Sequence, residues 1–252
     1  MKYLAALLAA VTAVLPISTA ALTVCALPQQ TVLKADAAGT VKLSGDTLTL
    51  SGAFTKEQLD AYRDNNAVTR VVAASDAVLP ESCVELFDVD DTGTVDIPPS
   101  IYYWQNLVSV DLSAADASQV TDMRYMFCGC RALQSVDLSG LDTSNVREMS
   151  RMFGNCTALT SVDFSGISTP QLTDMAWMFQ NCSALTSIDL SSFDTSNVKD
   201  MGALFADCSE LTSLDLSNFD TANAEDMGGM FWGCEKLTAI DPSGFHTKNA
   251  RI

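Results

Sequence analysis

The sequence predicts an α/β solenoid, a right-handed stack of coils that each supply one parallel strand and one short helix. Three observations carry this expectation. The chain repeats itself at a step of 26 residues, each repeat switches between two hydrophobic periods, and the residues before the repeats have the texture of a cap.

Met123, Met149, Met175, Met201 and Met227 open successive units. Three residues on stand Met126, Met152, Met178, Leu204 and Met230, and each is followed by a phenylalanine: Phe127, Phe153, Phe179, Phe205 and Phe231. Cys130, Cys156, Cys182, Cys208 and Cys234 come next, then Leu133, Leu159, Leu185, Leu211 and Leu237. A partial unit with Leu107, Val110, Asp111 and Leu112 precedes them, with Trp104 in the cysteine's place.

Met149, Met152, Phe153 and Cys156 are spaced i, i+3, i+4, i+7, which predicts one face of a short helix. Leu159, Val162 and Phe164 then fit the LxxLxL pattern of a leucine-rich repeat. Its alternating part is a strand with Val162 inward and Asp163 outward. Asn145 with Glu148, Asn197 with Asp200, and Asn223 with Asp226 read as helix caps. A single coil cannot bury its apolar face alone, so stacking is what closes the core.

Three regions result. Residues 1–26 read as a signal peptide: Lys2, an apolar run from Leu4 to Leu15, Pro16, then small residues around Ala20 and Ala26. Cys25 sits in a sequence resembling a lipoprotein box, so any membrane contact would run through a lipid anchor there. Residues 27–100 read as an N-terminal, β-rich cap with a degenerate repeat. Within it Thr40–Leu43 and Thr47–Leu50 form a hairpin, Thr55–Arg63 a helix with a Thr55–Gln58 capping box, and Val68–Ala73 a strand. Val78–Phe87 begins to follow the repeat. Residues 101–252 are the leucine-rich-repeat solenoid, one partial and five recognisable units.

With 14 basic and 31 acidic residues, the chain has a net charge of −17. That balance excludes nucleic acid and anionic lipid as favoured partners, since both reward a basic face. The cysteine ladder is expected to be buried and reduced, because stacked side chains point the same way and a thiol packs as a small hydrophobe. Cys83 and Cys128 are left as either paired or separate. No converging ligand set suggests a metal or other cofactor.

Asp111, Asp137, Asp163, Asp189, Asp215 and Asp241 should form a row on the outer strand face, and stacked carboxylates repel. Hydrogen bonds from flanking serines, bound cations or a basic partner could each offset this. The row is a candidate binding face. Tyr125, Arg151 and Trp177 share a phase and, with Trp232, make a candidate contact patch. Asp88–Gly93 resembles the start of a calcium loop, but Pro99 stands where its last ligand belongs, so it reads as a polar turn. His246 reads as a solvated loop residue. No nucleophile or metal motif points to an enzyme.

The pattern MxxMFxxCxxLxxLDLSxFDTSNV, whose second half Ser187–Val198 (SIDLSSFDTSNV) keeps close to consensus, resembles the BspA-like bacterial surface proteins, whose 26-residue leucine-rich repeats also occur in mycoplasma lipoproteins. The likeness covers about Leu107 to Ala250. It implies a secreted or surface-exposed, non-enzymatic protein that binds a protein or glycoprotein on host or neighbouring cells. The alternative is a structural module that self-associates through an uncapped C-terminal end, or a truncated member of a longer surface protein.

Overall fold

The computed structural model describes residues 39–87, 104–241, 243, 245–246 and 250–251. The expected signal peptide, the lipid-anchor residue Cys25, and the Asp88–Gly93 turn with Pro99 lie outside the described residues.

The chain is a leucine-rich-repeat solenoid. Strands β1 (Thr40–Ser44) and β2 (Thr47–Ser51) form an antiparallel hairpin around Gly45, and helix α1 (Lys56–Asp60) follows. The Thr55–Gln58 capping box is present, with both reciprocal hydrogen bonds. Strand β3 (Arg70–Ala73) then pairs in parallel with β2 and with β4 (Ser109–Asp111). The cap and the repeats therefore share one sheet, which continues through β5 (Ser135–Asp137) and β6 (Ser161–Asp163). Strands β7 (Ser213–Asp215) and β8 (Ala239–Asp241) form a second parallel pair.

Register is fixed by the step of the repeat: Val110 lies on Val136 and Val136 on Val162, with their aspartates likewise aligned. The ladder is interrupted over residues 187–189. Phe164 occupies the place of Leu112, Leu138, Leu190 and Leu216, and its ring meets Phe153, Phe179 and Phe193 edge-on.

Opposite the strands, the expected helices are not formed. The turn-side segments run through overlapping turns, with left-handed residues at two fixed phases. Tyr125, Arg151, Trp177 and Ala203 occupy the first, and Asn155, Asn181 and Asp207 the second, beside Gly129 and Gly233. Each such residue breaks an α-helix. Every other amide turns back within its own coil: Met126, Cys128 and Cys130 donate to Met123, Tyr125 and Phe127. The alternate amides of Met123, Tyr125, Phe127 and Gly129 donate to Glu148, Ser150, Met152 and Gly154 of the next coil. A helix would satisfy its amides internally and leave the coils joined by side chains alone. The apolar spacing is common to both conformations, which is why it does not distinguish them.

The expected asparagine caps are likewise replaced by bonds between coils. Asn145, Asn197 and Asn223 donate through Nδ2 to the carbonyls of Ser118, Pro170 and Ser196.

Inside, Phe87, Phe127, Phe153, Phe179, Phe205 and Phe231 form one continuous stack with centroids 5.3 to 6.0 Å apart. Phe87 heads this stack, 5.3 Å from Phe127. Each ladder cysteine donates its thiol to a phenylalanine carbonyl on the preceding coil, as Cys156 does to Phe127 at 3.0 Å. Burial raises the Cys156 and Cys182 thiols well above their ordinary range. No described cysteine is disulfide-bonded, Cys83 and Cys128 included.

A further polar ladder was not read from the sequence. Thr143, Thr169, Thr195 and Thr221 are buried. Thr195 Oγ1 donates to the Asp220 carbonyl at 3.1 Å and accepts the Asp220 amide at 2.8 Å, and Thr143 and Thr169 make the same double bond to Ser168 and Asp194. The repeated Asp-Thr-Ser loop is therefore a clamp between coils.

Two expectations follow for urea denaturation. Thr195→Val keeps the shape but strands the Asp220 amide, and should cost about 1–3 kcal/mol. Asp207→Gly should be neutral or slightly stabilising, whereas Asp207→Val should cost about 1–2 kcal/mol, because only glycine is at ease at that positive φ. A helix would give the reverse order, with glycine the worse of the two.

Candidate functional site

The expected row of aspartates lines an open groove of about 780 Å³ along the strand face. Residues of the strand segments alternate there, valines buried and serines and aspartates outward, as β4 and β5 show. Asp111, Asp137, Asp163 and Asp189 all border the groove, with Ser135 and Ser161 between them. Arg70, in register with Ser109, stands at one end. Asp215 continues the row on β7, and the backbone of Asp241 continues it on β8.

Serines two residues on hold the carboxylates in place. Asp111 Oδ1 accepts both the amide and the hydroxyl of Ser113, at 3.0 and 2.7 Å. Asp137, Asp163, Asp189 and Asp215 accept the amides of Ser139, Ser165, Ser191 and Ser217. These bonds hold Asp163 below the usual carboxylate range, the Ser165 amide first and its hydroxyl second. The Ser191 and Ser217 hydroxyls, then their amides, do the same for Asp189 and Asp215. For Asp163 and Asp189, repulsion from the next aspartate acts in the opposite sense and is the smallest contribution. Hydrogen bonding to the charged form wins, which is the first of the three offsets considered for this row.

A second acidic row runs along the start of the turn side. Asp122, Glu148, Asp174, Asp200 and Asp226 lie in successive parallel bridges. Glu148, Asp200 and Asp226 are the residues expected as helix-cap acids, and with no helix present they stack in one row with Asp122 and Asp174. Burial, and then repulsion from the next acid, raises Glu148 and Asp174, although an amide of Ala176 partly offsets the rise for Asp174. Arginines close both ends. Arg124 makes a forked contact with Asp122 at 2.7 to 3.0 Å, and Arg251 Nη1 lies 3.9 Å from Asp226. The signal for this row was the acid preceding every repeat methionine.

The expected contact patch is brought together in part. Arg151 Cζ lies 6.0 Å from the Tyr125 ring centroid and 5.0 Å from that of Trp177, an alternating row on successive coils. Trp232, 70% exposed, shares a phase with Ala206 and Cys128 and does not join that row. His246 is exposed, donates its amide to Thr221 Oγ1 and lies 3.9 Å from Asp220. Among the described residues, no group of three or more histidines, cysteines or acids is gathered closely enough to hold a metal.

A family model described as "Mycoplasma protein of unknown function, DUF285" matches residues 87–185 and 160–251. No curated protein matches the chain. Among solved structures, a leucine-rich repeat protein from Eubacterium ventriosum matches with 15% identity and a TM-score of 0.27, covering 80% of this chain and 82% of that one. A leucine-rich repeat protein from Bacteroides ovatus matches with 15% identity and a TM-score of 0.22, over 80% and 74%.

The raised acids give a pH dependence of definite sign. A carboxyl raised by folding is penalised when ionised, so the penalty is absent below the unfolded values of 4.5 for Glu148 and 3.8 for Asp174. It grows as pH rises through the folded values and is complete above them. Asp174→Asn, whose amide oxygen can still accept from Ala176, should therefore raise the melting temperature near pH 7. That gain should vanish below about pH 3.5 in thermal melts across the range. An equal gain at both ends would show that repulsion and burial of charge are not its source.

Proposed function

This chain belongs to the family described as Mycoplasma protein of unknown function, DUF285, and we propose that it is an exported, non-enzymatic binding protein. It works at the cell surface or as a secreted protein, engaging a protein or glycoprotein ligand on host or neighbouring cells. The observation that carries this reading is the strand-face groove. It is open, runs across several coils, and presents serines and aspartates whose positions are fixed by β pairing rather than by mobile loops. Such a surface suits an extended contact that many weak polar groups share.

The electrostatics favour binding over catalysis. Two-carboxylate hydrolysis needs one acid with a raised pKa to serve as proton donor. Asp163 and Asp189 are both held down, and they repeat a single environment. The net charge of −17 weighs against nucleic acid. The likeness of the repeat to BspA-like surface proteins supports adhesion, and the apolar leader supports export.

A second reading, a self-assembling structural module, draws on the last described coil. There Trp232 is 70% and Ile240 37% exposed, and β8 pairs on one side alone among the described residues. Light scattering across a wide concentration range separates the two readings, since self-assembly requires the apparent mass to rise.

For the leading reading, the protein is screened for saturable binding to matrix glycoproteins and to intact bacterial cells. Ser161→Arg places a bulky side chain in the groove without touching the Asp–Ser bonds, and should weaken binding by about tenfold or more with an unchanged melting temperature. Binding no better than that of an unrelated protein of equal charge, or indifferent to Ser161→Arg, would overturn it.

A further inference from the structure

On the turn side, the residues in phase with Tyr125 read Tyr125, Arg151, Trp177, Ala203, Gly229. The first three interleave as an aromatic–arginine–aromatic row, with Arg151 between the two rings. After Trp177 the large side chains stop. A cavity of about 390 Å³ opens there, walled by Trp177 and Arg251, floored by Gly202 and Gly228, and bordered by the carboxylates of Asp200 and Asp226.

The glycines are what expose those carboxylates. Earlier coils carry Arg124, Ser150 and Ala176 at the phase of Gly202 and Gly228. A Cβ on Gly202 would come within 3.1 Å of Asp200 Oδ1 and 3.5 Å of Asp226 Oδ1, and one on Gly228 within 3.0 Å of Asp226 Oδ1. Any side chain there would lie across the acids. The amides of the same glycines bond to them, at 2.8 Å to Asp200 and 2.7 Å to Asp226, and so fix their direction.

Each wall of the slot matches a surface that already holds an arginine of this chain. Arg151 stacks on Trp177, Arg124 forks onto Asp122 in the same acidic row, and Arg251 approaches Asp226 at the slot's far edge. Trp177 is 40% exposed, and Asp200 makes no ion pair among the described residues. Stacking on an aromatic face and planar donors set against two carboxylates are together the recognition chemistry of guanidinium, which an ammonium group meets only in part.

We propose that this slot binds an arginine side chain of a basic partner protein, the guanidinium stacking on Trp177 and pairing with Asp200 and Asp226. The site is separate from the strand-face groove and stands or falls independently of it. The strongly acidic chain steers such a partner toward it at low salt.

The test uses the peptide Ac-GSGSRGSGS-amide and its lysine and citrulline counterparts, titrated into the full chain at low salt. The readout is the NMR resonance of the Trp177 indole N–H, identified by its loss in Trp177→Phe. The arginine peptide should shift that resonance saturably, the lysine peptide should bind more weakly, and the uncharged citrulline peptide should give no saturable shift. In the double variant Asp200→Asn, Asp226→Asn, which keeps acceptors for both glycine amides, the arginine peptide's Kd should rise by about tenfold or more. Should that variant fail to fold, Trp177→Ala with isothermal titration of the same peptide takes its place, with the same loss expected. Absence of any saturable shift overturns the proposal, as does equal binding of the citrulline or lysine peptide. Unchanged affinity in the folded variant used overturns it too.

Discussion

The hydrogen bonds that run from coil to coil are the constraint on which the rest of this structure depends. On the strand side they are ordinary parallel pairing. On the turn side they exist because left-handed residues aim alternate amides at the next coil. An L-residue in that conformation costs about 1–2 kcal/mol. The cost is tolerable because each such turn places an amide on a carbonyl that would otherwise be buried without a partner. Once both sides are locked, residues 26 apart in successive repeats lie in register, and the side chains must stack like upon like.

Like-upon-like stacking suits some residue types far better than others. Phenylalanines gain from it, in near-parallel stacks wholly shielded from water. Threonines gain too, since a hydroxyl both donates and accepts and can close a clamp on the next backbone. Cysteine thiols find a carbonyl one coil away. Acids are the hard case, and the chain meets it twice with different results. On the strand face Asp163 and Asp189 each have their own serine, and there hydrogen bonding outweighs repulsion. On the turn side the acids are partly buried against each other, so Glu148 and Asp174 are raised, and arginines sit at the two ends where the row runs out.

Much of this was legible in the amino-acid sequence. The step of the repeat, the inward valines, the outward aspartates, the phenylalanine core and the hairpin cap all follow from spacing, because burial depends on which residues face inward. The local conformation of the turn side did not follow. Met149, Met152, Phe153 and Cys156 face inward equally well from a helix or from overlapping turns. The difference was signalled at Gly129, Asn155, Asn181, Asp207 and Gly233, a column made wholly of residues that accept positive φ. Reading that column down the repeats, rather than the apolar face along one of them, would have turned the helix into a turn. It would also have moved Glu148, Asp200 and Asp226 from separate caps into a row.

The same column-wise view explains where specificity can reside. Positions identical in every coil are those whose stacking holds the register, so changing one disturbs its neighbours above and below. Positions that vary are released from that duty, and they are free to differ only where their side chains leave the stack. Trp177 followed by Ala203 and Gly229, and Ala176 followed by Gly202 and Gly228, are two adjacent columns that change together. Both columns shrink on the coils where the cavity opens, and it is the Gly202–Gly228 column whose side chains would meet the acids. A repeat that fails in one column alters a surface; two neighbouring failures on the same coils make a site.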